Sequence, residues 1–244
     1  MAAGRPAYFD AATFKFLRAL ARNNRREWFL AHKSDYEELV KAPCLRLVGD
    51  LAAPLAALSP QLLADPRPVG GSLFRIHRDT RFSQDKSPYK TYAGMTFFHA
   101  ATRRTARGLA GTAALGRLDA PVLYLHLQPG AGFAGGGIWH PQPPTLKRLR
   151  EFIADNPSSW KAATRGPAFT RVFALTGGSL ARAPRGYDPS HPLIADLKRT
   201  DLIATAPLSD AELMRADLPQ LLLRRFRLLR GLLEWQCLAL GLEF

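Results

Sequence analysis

The residues best suited to chemistry are concentrated between positions 74 and 90. Residues 75–89 contain four Arg or Lys residues, one His, two Asp and four hydroxyl side chains, and Lys90 adds a fifth cation. Guanidinium groups bind phosphate or carboxylate through two parallel hydrogen bonds, and hydroxyls add neutral donors. The segment therefore predicts a binding site for a negatively charged group.

We assign roles within this segment by residue type. The predicted anion-binding cations are Arg75, Arg78, Arg81, Lys86 and Lys90, and the predicted neutral donors are Ser83, Ser87 and Tyr89. His77 is the candidate general acid or base, because an imidazole changes its charge near neutral pH. Asp79 is the second candidate catalytic residue, either orienting His77 or bracing an Arg side chain.

A glycine-rich stretch follows a predicted strand. Residues 130–135 match the pattern G-x-G-x-x-G, but three prolines fall within residues 136–144. A helix then begins too late for its N-terminus to meet a pyrophosphate, so the pattern favours a glycine-rich hairpin or a close backbone approach to a ligand over a dinucleotide site. We expect Gly136 and Gly137 to offer backbone donors to the ligand, and Trp139 and Tyr89 to stack on a base or sugar.

Other chemistries find little support. Residues 77–79 spell the first letters of a protein-kinase catalytic loop, but the Asn expected five positions after Asp79 is Gln84. The His and Cys residues lack metal-ligand spacing, and no serine-hydrolase motif occurs. We predict no metal site, and the sequence names no cofactor and decides neither catalysis nor oligomeric state.

The charge balance supplies an alternative function. The chain has 244 residues with 34 basic and 20 acidic side chains, a net charge of +14, and residues 67–107 carry half of that net charge. Such a surface favours polyanions, so non-catalytic nucleic-acid binding is the second hypothesis. It would use Arg103, Arg104, Arg107 and the row of Arg residues between 224 and 230. A third hypothesis is that residues 75–90 form only a structural network of salt bridges.

Composition also bears on the compartment. Hydrophobic residues make up 47% of the chain, which supports a sizeable core. The two cysteines, Cys44 and Cys237, form no disulfide framework, the N-terminus has no signal-peptide core, and no apolar run is long enough to span a membrane. We therefore expect a cytoplasmic protein without a membrane partner.

Hydrophobic periodicity places these motifs on elements. Helices are predicted from an N-cap at Asp10 to about 21, over 25–41, from Pro43 onward, over 143–156 and 157–164, from Ser209, and over about 219–240. Strands are predicted over 73–77, 92–99, 122–128 and 133–139, with strand or loop at 172–175 and 202–205. In the first strand, Arg75 and His77 share one face, and Phe74 and Ile76 pack in the core.

Helices at both ends and strands in the middle indicate the fold class α+β. We predict a mainly antiparallel central sheet flanked by N-terminal and C-terminal helices, because regular βαβ alternation is missing.

Several segments together resemble a bacterial and fungal family known as domain of unknown function 2461. They are residues 23–29 (Asn-Asn-Arg-Arg-Glu-Trp-Phe), 75–83 (Arg-Ile-His-Arg-Asp-Thr-Arg-Phe-Ser), 85–90 (Asp-Lys-Ser-Pro-Tyr-Lys), 124–130 (Tyr-Leu-His-Leu-Gln-Pro-Gly), 136–141 (Gly-Gly-Ile-Trp-His-Pro) and 183–192 (Ala-Pro-Arg-Gly-Tyr-Asp-Pro-Ser-His-Pro). The resemblance implies a single domain over residues 8–243 and no particular activity. Its pattern has Glu where this chain has Gln128, so we do not assign a catalytic base there.

Overall fold

The N-terminal part of the chain is helical. The computed structural model describes residues 6–81, 84–102 and 119–244. The first elements are α1 (Ala11–Arg22), α2 (Arg26–Ala31), α3 (Lys33–Tyr36), a π-helical turn (Glu37–Lys41) and α4 (Ala42–Leu58). Asp10 caps α1 as predicted, since its side chain accepts from the Thr13 N–H at 2.9 Å.

The predicted helix over 25–41 is instead broken at His32. The His32 ring nitrogen Nδ1 lies 2.8 Å from the Trp28 carbonyl oxygen, one helical turn earlier, and the two rings stack at 4.1 Å. The His32 N–H bonds both the Trp28 and the Phe29 carbonyl oxygens at 3.2 Å, which is a pattern common at helix ends.

An antiparallel sheet occupies the middle of the molecule. Within the described residues its strands lie in the order β1-β2-β3-β4-β6-β5. The bounds are β1 (Leu62–Leu63), β2 (Ala93–His99), β3 (Val122–Leu127), β4 (Gly132–Ile138), β5 (Ala174–Thr176) and β6 (Leu202–Leu208). The predicted strands over 122–128 and 133–139 are confirmed, and they pair with each other, with His126 opposite Phe133 and Tyr124 opposite Gly135.

The remaining helices cover one face of this sheet or connect its strands. They are α5 (Pro143–Asp155), α6 (Pro157–Arg165), α7 (Pro167–Thr170), α8 (Ile194–Leu197), α9 (Asp210–Leu213) and α10 (Leu218–Leu240). Helix α10 packs on the sheet, where the Phe226 ring meets the Phe97 ring edge-on at 5.8 Å. One buried hydrophobic cluster includes residues of α1, α4, the sheet and α10.

This arrangement confirms the predicted α+β class and the mainly antiparallel sheet with helices from both ends of the chain. Among the described residues, no helix combines the length and the apolar character that crossing a bilayer requires.

The predicted strand over 73–77 forms only two separate bridges. Leu73 pairs with Met95 of β2, whereas His77 pairs with Tyr89 on the returning arm of the same loop. The chain therefore changes partner midway, and Pro88 has no N–H with which to extend the second pairing.

Phe74 also departs from its predicted place in the core, since it is 39% exposed. Its ring lies against Gly94 on the uncovered side of the sheet, because glycine leaves space there for a neighbouring aromatic ring.

Candidate functional site

The two faces of the sheet have different chemistry. Along β3, Leu123, Leu125 and Leu127 are fully buried toward α10, whereas Tyr124 and His126 point to the other side. The strand pairing places Gly94, Phe133, Gly135 and Thr205 on that same side. We call this side the open face.

The open face forms a cavity of about 1010 Å³. Aromatic side chains contribute much of its wall: Phe74, Tyr92, Tyr124, Phe133 and Trp139. Glycines form part of its floor, and a Cβ atom at Gly135 would press on the Ala204 carbonyl oxygen. Such a concave, largely apolar surface with a few polar groups is the usual form of a ligand site.

His126 lies among these aromatic rings. Its imidazole stacks on Phe133 at 4.7 Å with an interplanar angle of 13°, and Tyr92 lies on it at 4.3 Å. Nε2 is 2.8 Å from the Gln128 amide oxygen, and Nδ1 is 3.1 Å from the Tyr124 hydroxyl. Because an amide oxygen only accepts, Nε2 carries the proton and Nδ1 accepts from Tyr124. Burial lowers the pKa of His126, and the Gln128 bond partly opposes that effect.

The Arg loop, residues 75–90, lies at the Gln128 end of the open face. Asn24 fixes its base: the side-chain amide donates to the Tyr89 carbonyl at 2.9 Å and accepts from the Tyr89 N–H at 3.1 Å. Tyr89 itself is 4% exposed and stacks on Phe29 at 4.1 Å. Tyr89 therefore anchors the loop, and its ring has no free face for the predicted stacking on a base or sugar.

Most of the predicted anion-binding cations hold the loop together. Arg78 bonds the Asp85 carboxylate and the Ser87 hydroxyl, and Lys86 donates to the Thr80 carbonyl at 2.9 Å. Lys90 donates to two carbonyl oxygens, that of Arg75 at 2.6 Å and that of His77 at 2.9 Å. These contacts support the structural-network hypothesis for part of the motif.

Arg81 and Asp79 form a two-pronged ion pair. Arg81 Nε and Nη2 donate to the two Asp79 oxygens at 3.0 and 2.7 Å. These bonds hold the pKa of Asp79 at about 2. Asp79 thus braces an Arg side chain, which is one of its two predicted roles. The other predicted role was to orient His77, and among the described residues no bond connects Asp79 to His77.

Arg75 differs from the other cations. It is exposed, and its guanidinium makes no hydrogen bond or ion pair with the described part of the chain. Its charge and that of Arg78 lower the pKa of the Lys90 ammonium, although burial is the larger cause. Three like charges therefore lie close together, which an anion would relieve.

A cleft of about 450 Å³ joins this cationic end to the sheet. It is lined by Arg78, Asp79, Tyr89, Lys90, Thr91, Tyr92 and Gln128. Tyr92 also lines the large cavity, so the two spaces are neighbours. His77 lies at this end as well, exposed, with its ring tilted against Tyr89 at 5.2 Å.

The other predicted ligand contacts in the described ranges line the opposite end of the large cavity. Gly136, Gly137 and Trp139 lie at the far end of β4, where Gly137 pairs with Val122. Val122 is about 20 Å along β3 from Gln128, at roughly 3.3 Å per residue. β4 is hydrogen-bonded to β3 and to β6, so the Gly136 and Gly137 amides belong to the sheet and are not free donors. Trp139 is 60% exposed, and Ser83 is outside the described residues.

In the described part of the surface that the nucleic-acid hypothesis requires, three of the four arginines are paired with acidic side chains. On α10, Arg225 bonds Glu212 at 2.5 Å, Arg230 bonds Glu234 at 2.9 Å, and Arg224 lies 3.7 Å from Asp217. Arg103, Arg104 and Arg107 fall outside the described residues. Nor do three or more His, Cys, Asp or Glu side chains gather as metal ligands anywhere in the described ranges.

Sequence reasoning missed Tyr92, His126 and Phe133. The signal was present in β3, where Tyr124, His126 and Gln128 alternate with leucines. It could not be interpreted without the strand pairing that brings Phe133 and Tyr92 to the same histidine.

Comparison with known proteins supplies the family. A search of curated proteins and a search of solved structures found no match. The family described as "Conserved hypothetical protein (DUF2461)" matches residues 12–235, nearly the whole length of the chain. That span includes the Arg loop and every strand of the open face, and the chain belongs to this family.

Proposed function

We propose that this protein binds a small anionic ligand, with a phosphate-like group held between Arg75, Arg78 and Lys90. The observation that carries the proposal is that Arg78 and Lys90 line the cleft beside the cavity, while the Arg75 charge lies close enough to act on the same Lys90 ammonium. Arg78 and Lys90 are fixed by hydrogen bonds within the loop, and Arg75 is exposed for direct contact. Fixed cations cost little further ordering when a ligand binds, which favours affinity.

The described contacts separate the five cations by role. Arg81 and Lys86 are occupied by Asp79 and by the Thr80 carbonyl, so they shape the loop. His77 remains the candidate acid or base for any reaction at this end, since it is exposed beside the cleft. Both cysteines are buried free thiols, which supports the further proposal of a reducing, cytoplasmic location.

The experiment is a thermal-shift and calorimetric titration with inorganic phosphate and sugar phosphates at low ionic strength. The variant is Arg75→Gln, and the matched control is Arg227→Gln. Both arginines are exposed and unpaired within the described residues, but Arg227 is on α10, which packs on the opposite side of the sheet.

We expect phosphate to raise the melting temperature of the wild type and of Arg227→Gln. Its calorimetric affinity for Arg75→Gln should be at least tenfold weaker than for the wild type. Equal losses in the two variants would mean diffuse attraction to a basic protein, and would overturn the site. The proposal is also wrong if no phosphorylated compound shifts the wild-type melting temperature.

A further inference from the structure

The large cavity holds a continuous aromatic surface next to the cationic end. The Tyr92 ring lies 4.3 Å from the His126 ring, and the Phe133 ring stacks on the same imidazole at 4.7 Å. Tyr124 joins them at 5.6 Å from Phe133, and Phe74 follows at 6.0 Å from Tyr124. Flat rings of this kind bind the faces of nucleobases, because every base has a π surface.

The polar groups of this cavity are almost all neutral. Among its described lining residues the one charged side chain is Glu212, which is bonded to Arg225 and to the Ser209 N–H. The hydroxyl groups of Thr96, Thr205 and Tyr124 supply uncharged polar atoms, whereas both His126 ring nitrogens are already bonded to Gln128 and Tyr124. The cavity therefore suits an uncharged, flat part of a ligand, and the Arg loop suits a charged part.

We infer that the ligand is a nucleoside phosphate, with its base against Phe133 and Tyr92 and its phosphate at the cationic end, where Arg78 and Lys90 line the cleft and Arg75 lies beside Lys90. This inference rests on the proposed anion site for its charged end and on the aromatic surface for its class. The two parts are adjacent, since Tyr92 lines both the cleft and the cavity.

The same chemistry occurs in a free nucleotide and in a single nucleic-acid strand. A mononucleotide covers only the end of the cavity near Gln128. Gly137 lies about 20 Å from Gln128 along the strands. Trp139 lies two residues further and is 60% exposed, so only a longer strand reaches both ends. Trp139 therefore distinguishes the two sources.

The test compares four probes by calorimetry at one ionic strength: inorganic phosphate, adenosine, adenosine 5′-monophosphate and a four-nucleotide single strand of deoxyadenosine. The variants are Phe133→Leu, Phe133→Tyr, Trp139→Leu and Arg75→Gln, each checked for an unchanged melting temperature without ligand. Phe133→Tyr keeps the ring and serves as the matched control for Phe133→Leu.

We expect the nucleotide to bind at least tenfold more tightly than phosphate. Phe133→Leu should remove most of that advantage and leave phosphate binding unchanged, and Phe133→Tyr should retain it. A loss in Trp139→Leu for the four-nucleotide strand alone identifies a single strand as the natural source. If Trp139→Leu and the wild type bind the mononucleotide equally well, and also bind the four-nucleotide strand equally well, the natural source is a free nucleotide.

The two proposals fail in different ways. If phosphate binds and loses affinity in Arg75→Gln, but the nucleotide binds no more tightly than phosphate, the nucleoside inference is wrong and the anion site stands. If adenosine binds through Phe133 while phosphate does not bind at all, the anion site is wrong and the aromatic site stands.

Discussion

Burial lowers the pKa of His126 and the Gln128 hydrogen bond partly opposes that effect, so replacing Gln128 with Glu tests the contact. The Gln128 amide oxygen accepts the His126 Nε2–H at 2.8 Å, so a carboxylate in its place puts a negative charge within hydrogen-bond distance of the ring. An opposite charge at such distances shifts a pKa by roughly 1 to 3 units. Because the ring is half-buried and solvent screens part of the attraction, we expect a rise of about 1 unit for His126 in Gln128→Glu.

The control variant is Gln128→Met, which keeps the length of the side chain and removes the acceptor. Since the Gln128 bond raises the pKa of His126 against the lowering by burial, its loss should lower that pKa further. Nuclear magnetic resonance titration of the imidazole measures both shifts. An unchanged or lower His126 pKa in Gln128→Glu would refute the assignment of the Nε2–H bond.

The same titration has a consequence for stability. Burial holds the pKa of His126 below its unfolded value, so the unfolded chain binds more protons just below about pH 6.5. The free energy of unfolding therefore gains a contribution that rises with pH through that window and is lost on acidification. Gln128→Glu raises the folded-state pKa of His126 and so reduces its difference from the unfolded-state pKa. The urea midpoint of this variant should therefore fall less between pH 7.5 and pH 5 than that of the wild type.

Three further predictions concern the contacts that build the site. Asn24→Leu removes both hydrogen bonds to the Tyr89 backbone and should lower the free energy of unfolding by about 2 kcal/mol in urea; a loss under about 0.5 kcal/mol would contradict the anchoring role. Gly137→Ala should lower the free energy of unfolding by about 3 kcal/mol or more, because Gly137 has φ of +121° and a Cβ would overlap the Leu202 carbonyl. Gly186→Ala is the control, also at positive φ but in open space, and should lower it by about 1 kcal/mol. Equal losses in thermal unfolding would refute the overlap. The Asp79 carboxyl should titrate at about 2 by carbon-13 resonance and rise toward its ordinary value near 4 in Arg81→Met, and a midpoint that stays at about 2 in the variant would show that Arg81 is not the cause.

Short-range signals in the sequence were sufficient for most of the elements and for the fold class, but not for the break at His32 or for the divided pairing of residues 73–77. Asp10 followed three residues later by Thr13 specifies a helix start through groups that are neighbours in the chain. The alternation of leucines with Tyr124 and His126 specifies a half-buried strand for the same reason. The charged groups of the Arg loop also bond mostly within the loop, so their identity as one cluster was predictable.

The composition of the site depended on pairings between distant parts of the chain. Asn24 meets Tyr89 across 65 positions, and strand order brings Tyr92 and Phe133 to His126. Strand register also places Gly137 about 20 Å from Gln128, so the glycines and Trp139 line the end of the cavity opposite to the Arg loop. Local patterns determine which residues form strands, but only the packing of the strands determines which side chains share a face and an end of the sheet.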